Sequence, residues 1–311
     1  MSDNHDAGAS TGILIMNTGT PDAPTPEAIR PYLAEFLSDR HMISMPPALW
    51  QPILHLFILP SRPKKTAARY ESIWTPEGSP FTLVSVSQRD KLAAELTRRN
   101  VSATVELAMR YGNPSTADAL ARLRAAGCTR LVVLPLFPQY ATVTTQTCLD
   151  RVDEILDKID WHPDLVAIDH YCDRPAYLDA LAASIRAHWT WHEGSRLLFS
   201  FHSTLLADIE AGDPYRDQAL ATCQGVVERL GIPEDGWAVS WQCRFDSRKW
   251  LMPSPETVLE GWADTGVRDV AEVCPVFSTD CIETLVDCAV EQREHFENRC
   301  RARDANPQDA A

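Results

Sequence analysis

Two side chains combine a useful chemistry with a position that suits it. His202 ends the apolar run Leu197-Leu198-Phe199-Ser200-Phe201. An imidazole at the rim of a sheet can ligate a metal or move a proton near neutral pH; a hydrogen-bonded structural histidine at a strand end fits the same position. Glu283 lies in the first turn of a helix expected to begin near Asp280, just past another apolar run. A carboxylate there is a hard oxygen ligand for a divalent cation, or a base. The spacing Asp280-Cys281-Ile282-Glu283 is also that of a helix-capping box, and spacing alone favours the cap.

Arg110 and Tyr111 follow a run that ends at Met109. A guanidinium in that place can hold an anionic group, or can be an ordinary surface arginine. Trp241, Phe245 and Trp250 surround Gln242-Cys243-Arg244, an aromatic stretch able to stack on a flat apolar ligand, although core packing is the commoner use of tryptophan. Other chemistries lack their motifs. Asn17-Thr18-Gly19-Thr20-Pro21 is a turn with one glycine and no G-x-G-x-x-G, and neither a P-loop nor a G-x-S-x-G elbow occurs.

Such residues need a sheet to carry them. From residue 12 onward, short β-branched or apolar runs alternate with longer amphipathic stretches, the pattern of an α/β fold with a parallel sheet covered by helices. Strands are predicted over 12–17, 104–109, 131–137, 165–171, 197–202, 238–242 and 270–277, and helices over 26–37, 84–99, 115–126, 145–159, 176–191, 216–230, 255–265 and 280–297. In the fifth helix Leu178, Leu181, Ile185 and Trp189 form one apolar stripe. Ligands of doubly wound folds sit beyond the carboxyl ends of the strands, which is where His202 and Arg110 fall. Trp161-His162-Pro163 interrupts the helical pattern and predicts a change of domain, giving halves at 11–160 and 161–299 and a polar tail at 300–311.

Composition narrows the partners. With 45% hydrophobic residues the chain can bury a full core, and 29 basic against 43 acidic residues (29 − 43 = −14) disfavour nucleic acid. The nine cysteines are scattered without a C-x-x-C pair, and an odd number argues for reduced thiols. Residues 1–10 are polar and acidic, unlike a signal peptide, so a cytoplasmic location is expected. The longest apolar stretch, 49–59, falls far short of the ~20 residues that span a bilayer, yet it suits an apolar lip or a surface that touches membrane.

Read in order, these segments resemble the ferrochelatase family. The likeness runs from Gly12 to Phe296 through Asn17-Thr18-Gly19-Thr20-Pro21-Asp22, Phe36-Leu37-Ser38-Asp39, Gly78-Ser79-Pro80, Met109-Arg110-Tyr111-Gly112, Leu134-Pro135-Leu136-Phe137-Pro138-Gln139-Tyr140, Ser200-Phe201-His202, Gly212-Asp213-Pro214-Tyr215, Trp250-Leu251-Met252-Pro253 and Asp280-Cys281-Ile282-Glu283-Thr284-Leu285. The resemblance implies two similar Rossmann-like halves around a central cleft, and insertion of Fe²⁺ into protoporphyrin IX to give protohaem. It implies His202 and Glu283 as the facing catalytic and metal-handling pair. Thr18, Arg110, Tyr111 and Trp250 become substrate-binding residues, and 49–59 a porphyrin lip.

Thr18 stands where relatives acting on coproporphyrin resemble a Tyr-Gly-Thr-Pro pattern, which points to protoporphyrin IX. Ser203-Thr204-Leu205 and Cys243-Arg244-Phe245-Asp246 depart from the family's usual turns, and many members carry a terminal strand and helix without counterpart in 297–311. Some relatives hold an iron–sulfur cluster through C-terminal cysteines; here only Cys300 follows Cys288, so no cluster and no cofactor beyond substrate iron is expected. A chelatase for coproporphyrin III, another tetrapyrrole or another metal stays open, as does a non-catalytic tetrapyrrole-binding protein or haem chaperone. Oligomeric state is not legible in the sequence.

Overall fold

All seven apolar runs become strands, and every strand pair is parallel. A computed structural model describes residues 10–43, 45–244 and 246–305. The first sheet holds β1 (Thr11–Asn17), β2 (Ala103–Met109), β3 (Arg130–Pro135) and β4 (Asp164–Ala167) in the order β2-β1-β3-β4. The second holds β5 (Ser195–His202), β6 (Trp237–Gln242) and β7 (Asp269–Val273) in the order β6-β5-β7. In both sheets the first strand lies between the second and the third, so the connection reverses direction there and the carboxyl end of that strand becomes the natural ligand position.

Two compact units follow. Among the described residues, one comprises those within 10–137, 142–169 and 279–281; the other comprises those within 138–141, 170–278 and 282–305. The sequence places a domain change at 160–161, whereas β4 pairs with β3 from Arg130↔Asp164 to Val133↔Ala167 and so stays with the first sheet. Some strands end sooner than their apolar runs. β7 stops at Val273 because Pro275 has no N–H for the ladder, and β4 stops at Ala167, after which Tyr171 N–H donates to Pro138 of the second unit.

Helices α1 (Pro26–Leu37), α2 (Pro47–Ile53), α3 (Leu59–Glu71), α4 (Pro80–Arg98), α5 (Thr116–Ala125) and α6 (Thr147–Lys158) belong to the first unit. The second carries α7 (Pro175–His188), α8 (Leu206–Glu210), α9 (Tyr215–Leu230), α10 (Pro255–Asp264) and α11 (Arg293–Ala305). Starts and stops are written locally. Thr25 and Ser115 accept from Ala28 and Asp118 N–H as N-caps, and Gly231 ends α9 at φ +69°. α2 and α3, joined by a π-helical turn at Leu54–Ile58, were hidden in the sequence by Pro47, Pro52, Pro60 and Pro63, which break helical patterns. This segment buries Leu54 and Leu59 and leaves Leu49, Ile53, Leu56 and Phe57 exposed, Phe57 at 70%.

The first core packs Leu14 and Met16 of β1 against Leu120 and Leu123 of α5 and Val152 of α6. In the second, Leu197, Leu198, Phe199 and Phe201 of β5 are fully buried. Trp241 joins that core, 5.6 Å from the Phe201 ring and 5.8 Å from Tyr215, so of the aromatic stretch it serves packing. Among the described residues no helix is long and apolar enough to cross a membrane.

Candidate active site

His202 is the last residue of β5, at the point where the second sheet reverses its connection. Its Nδ1 lies 2.8 Å from the Ser203 carbonyl. A carbonyl can only accept, so Nδ1 carries a proton and, in the neutral ring, Nε2 carries the lone pair that a metal ligand or proton acceptor needs. The turn beyond is pinned on both sides. Ser203 N–H donates to Gln242 O, Leu251 N–H to Thr204 O and Leu206 N–H to Lys249 O, and the Ser203 hydroxyl donates to Leu251 O at 3.2 Å. Trp250 is bridged to Leu205 within this lattice, its Nε1 donates to Asp246 at 3.1 Å, and the Arg248 guanidinium sits 5.7 Å from its ring. Phe245 lies outside the described residues.

Glu283 opens a π-helix, Glu283–Gln292, whose N-cap Ile282 makes no side-chain cap bond. With i→i+5 bonding, Cys288 comes about one turn after Glu283. The Cys288 thiol donates to Gln242 Oε1 at 3.2 Å, and Gln242 is the β6 partner of His202. Cys243 reaches Asp287 of the same helix at 3.8 Å. The helix that starts with Glu283 is thus fastened to the strand end beside His202, and both residues are half-buried in one unit.

In the first unit, Thr18 follows the end of β1. Arg110 N–H donates to Asn17 O and Tyr111 N–H to Thr18 O, extending the β1–β2 ladder into the loop. Gly19 makes this approach possible: it has φ +111°, and a Cβ there would stand 1.9 Å from the Tyr111 carbonyl. Arg110 Nε donates to the Thr147 hydroxyl at 2.7 Å and carbonyl at 3.0 Å, and its Nη2 pairs with Asp39. Asp39 also accepts from the Tyr111 hydroxyl at 2.8 Å, from His41 N–H at 2.7 Å and from the Thr147 hydroxyl. Burial pushes the Asp39 carboxyl up, but the donors Thr147, His41 N–H and Tyr111, with the Arg110 charge, outweigh it and hold the group below the usual carboxylate range. Burial pushes the Tyr111 phenol far up, so it stays protonated and donating.

The sequence-predicted residues therefore fall into two groups, Thr18, Arg110 and Tyr111 in one unit and His202, Trp250 and Glu283 in the other. The Arg110 charge is matched by Asp39, a partner that the residue pattern did not single out and that only the segment Phe36-Leu37-Ser38-Asp39 in the family resemblance touched.

The sequence profile of the ferrochelatase family matches residues 10–303. The chain belongs to the ferrochelatase family. It is 45% identical over 293 residues to a ferrochelatase of Azoarcus sp. strain BH72, covering 94% of this chain and 80% of that one. It is 44% identical over 289 residues to a ferrochelatase of Thioalkalivibrio sulfidiphilus, at 92% and 78% coverage. Ferrochelatase 1 of Shewanella oneidensis is 41% identical over 287 residues, at 92% and 86%. Among solved structures, that described as SirB from Bacillus subtilis with Fe3+ shares the fold at a TM-score of 0.50 and 10% identity, covering 96% of this chain and 97% of that one. As a ferrochelatase-family enzyme the chain is a metal chelatase, a lyase that inserts metal into a porphyrin.

Proposed function

We propose that the chain inserts Fe²⁺ into protoporphyrin IX to give protohaem, with His202 and Glu283 as catalytic and metal-handling pair. The observation that carries this reading is the His202 ring, at the end of the central strand with Nδ1 bonded to Ser203 O, beside a strand residue that holds the Glu283 helix. Metallation requires Fe²⁺ to shed water, the macrocycle to deform so that a nitrogen lone pair leaves the plane, and two pyrrole protons to depart. The Nε2 lone pair of His202 accepts a pyrrole proton or ligates iron, and the Glu283 carboxylate handles the metal or relays the second proton.

Thr18, Arg110, Tyr111 and Trp250 contribute to the porphyrin site; Arg110 and Tyr111 act through the Asp39 network that fixes their loop. Thr18, in place of tyrosine, favours protoporphyrin IX over coproporphyrin III. The exposed row Leu49, Ile53, Leu56 and Phe57 forms the porphyrin lip and a surface for peripheral membrane contact. Iron is substrate, and we assign no iron–sulfur cluster: Cys300, beyond Cys288, is buried with its thiol against Val267 O at 3.8 Å. The scattered free cysteines favour a reducing compartment such as the cytoplasm.

Anaerobic incubation of the chain with Fe²⁺ and either protoporphyrin IX or coproporphyrin III, followed by the absorbance change of metallation, tests the assignment. Faster turnover of protoporphyrin IX is expected. Preference for coproporphyrin III overturns the substrate, and binding of both pigments without metallation overturns the activity.

A further inference from the structure

Behind the His202 strand end lies a second group of metal-ligating side chains that the proposed reaction does not use. Glu272 and Cys274 project from β7 and its continuation, and Cys288 comes from the π-helix. One ligand atom from each lies within 4.8 Å of the other two, and the two sulfurs are 3.6 Å apart. That separation is far from the ~2.05 Å of a disulfide. It is close to the ~3.8 Å between two thiolates that share a tetrahedral ion at ~2.3 Å each.

The surroundings are those of a built site. Gln292, its amide oriented by its hydrogen-bonding neighbours, donates to both Glu272 oxygens at 2.7 and 3.0 Å, as an outer-shell residue orients a ligating carboxylate. Gln242 Oε1 lies 3.2 Å from Cys288 Sγ and fixes the position of that sulfur. Cys288 is buried, while Glu272 and Cys274 are only half-buried, which leaves an entry side. Two sulfurs with one carboxylate select a borderline-soft ion over Mg²⁺ or Ca²⁺.

We propose that Glu272, Cys274 and Cys288 form a site for one borderline-soft divalent cation of the Zn²⁺ or Co²⁺ class, distinct from the His202–Glu283 pair. Binding changes no oxidation state: the thiol protons of Cys274 and Cys288, and any proton on Glu272, pass to solvent as the ion enters. The ion ties β7 to the π-helix about one turn beyond Glu283.

Metal-free, thiol-reduced full-length protein titrated anaerobically with Co²⁺ provides the test. The expected result is one thiolate-to-cobalt charge-transfer band per chain, bleached by Zn²⁺, absent in Cys274→Ser and Cys288→Ser and retained in His202→Ala. Glu272→Gln should weaken binding by at least about tenfold. X-ray absorption of the Zn²⁺-loaded wild type should show two sulfurs at about 2.3 Å, a reading independent of whether the cysteine variants fold. No thiolate band, a band that survives Cys288→Ser, or loss of two titratable thiols without metal uptake overturns the site. Because the readout is a sulfur–metal spectrum, failure here is distinguishable from failure of the metallation reading.

Discussion

The two units solve one construction problem twice and finish it differently. Near the end of its second strand each unit spends one strand N–H on a later proline carbonyl: Met109 on Pro114 and Trp241 on Pro253, both at 2.8 Å. The next residue then caps a helix, Ser115 for α5 and Ser254 for α10. Since Met109 pairs with Asn17 and Trp241 with Phe201, Thr18 and His202 occupy matching places, as do Arg110 and Gln242. The first unit closes its loop within 110–113 and surrounds a buried carboxylate, Asp39, with an arginine and three further donors. The second uses 242–252, puts the neutral Gln242 where the arginine would be, and holds a half-buried carboxylate, Glu272, whose desolvation pushes it up to about 7. Similar strand orders thus yield one fixed end, whose carboxylate Asp39 is held ionised, and one whose carboxylate Glu272 can exchange its proton near pH 7.

The largest effect that can break this contrast is His202→Ala. It should lower metallation by about a thousandfold, the range of a lost proton acceptor, with porphyrin binding kept. Comparable turnover by wild type and variant would show that the fixed and exchangeable ends are not divided as described.

Arg110→Met comes next, leaving Asp39 buried without its cation at a cost of about 3 kcal/mol, read as a drop in unfolding midpoint. Adding Asp39→Leu should recover most of it. The Asp39 pKa is lower folded than its ordinary 3.8, so this stabilisation is present above that value and lost as pH falls through the folded value; Asp39→Asn should flatten that acid limb.

Glu272 should answer with the opposite sign. Its folded pKa is raised, so its contribution is full below the ordinary 4.5 and disappears as pH rises through about 7. In chelator-treated protein Glu272→Leu should therefore be more stable than wild type at pH 8, by about 1 kcal/mol, and lose that advantage at pH 5. Destabilisation at both pH values would mean that the two carboxylates are equally well satisfied. The smallest change is expected of Trp250→Ala, a half-exposed ring at the mouth of the longer loop, which should weaken porphyrin binding about fivefold, a loss of about 1 kcal/mol.

The places of His202 at a strand end and of Glu283 at a helix start were legible because each follows an apolar run, whereas the roles proposed for them came only from the family resemblance. The helix 26–37 was legible to the residue, and in the structure Thr25 caps it and Pro26 opens it. Asp39 was not, since its significance comes from Arg110 and Thr147, distant in sequence and joined only by the fold. The π-helical stretch Glu283–Gln292 was read as part of an ordinary helix because one added residue per turn leaves little trace in an apolar pattern. The pairing of Gln242 with Cys288 was equally invisible: neither type announces a contact across a sheet and a helix.

The ten-residue π-helix, Glu283–Gln292, runs directly into α11. Its far end is moored to α10 and its neighbouring loop: Arg299 grips Asp264 with two bonds at 2.7 Å, His295 meets Glu260 at 2.9 Å, and Arg268 holds Asp304. Any one-residue slip from wide to tight winding rotates one side of the slip by about 100°. With α11 held on one side and Asp287 and Cys288 tied to Cys243 and Gln242 on the other, such a slip is resisted at both ends, and the wide winding fixes the register in which the helix presents its first residue, Glu283.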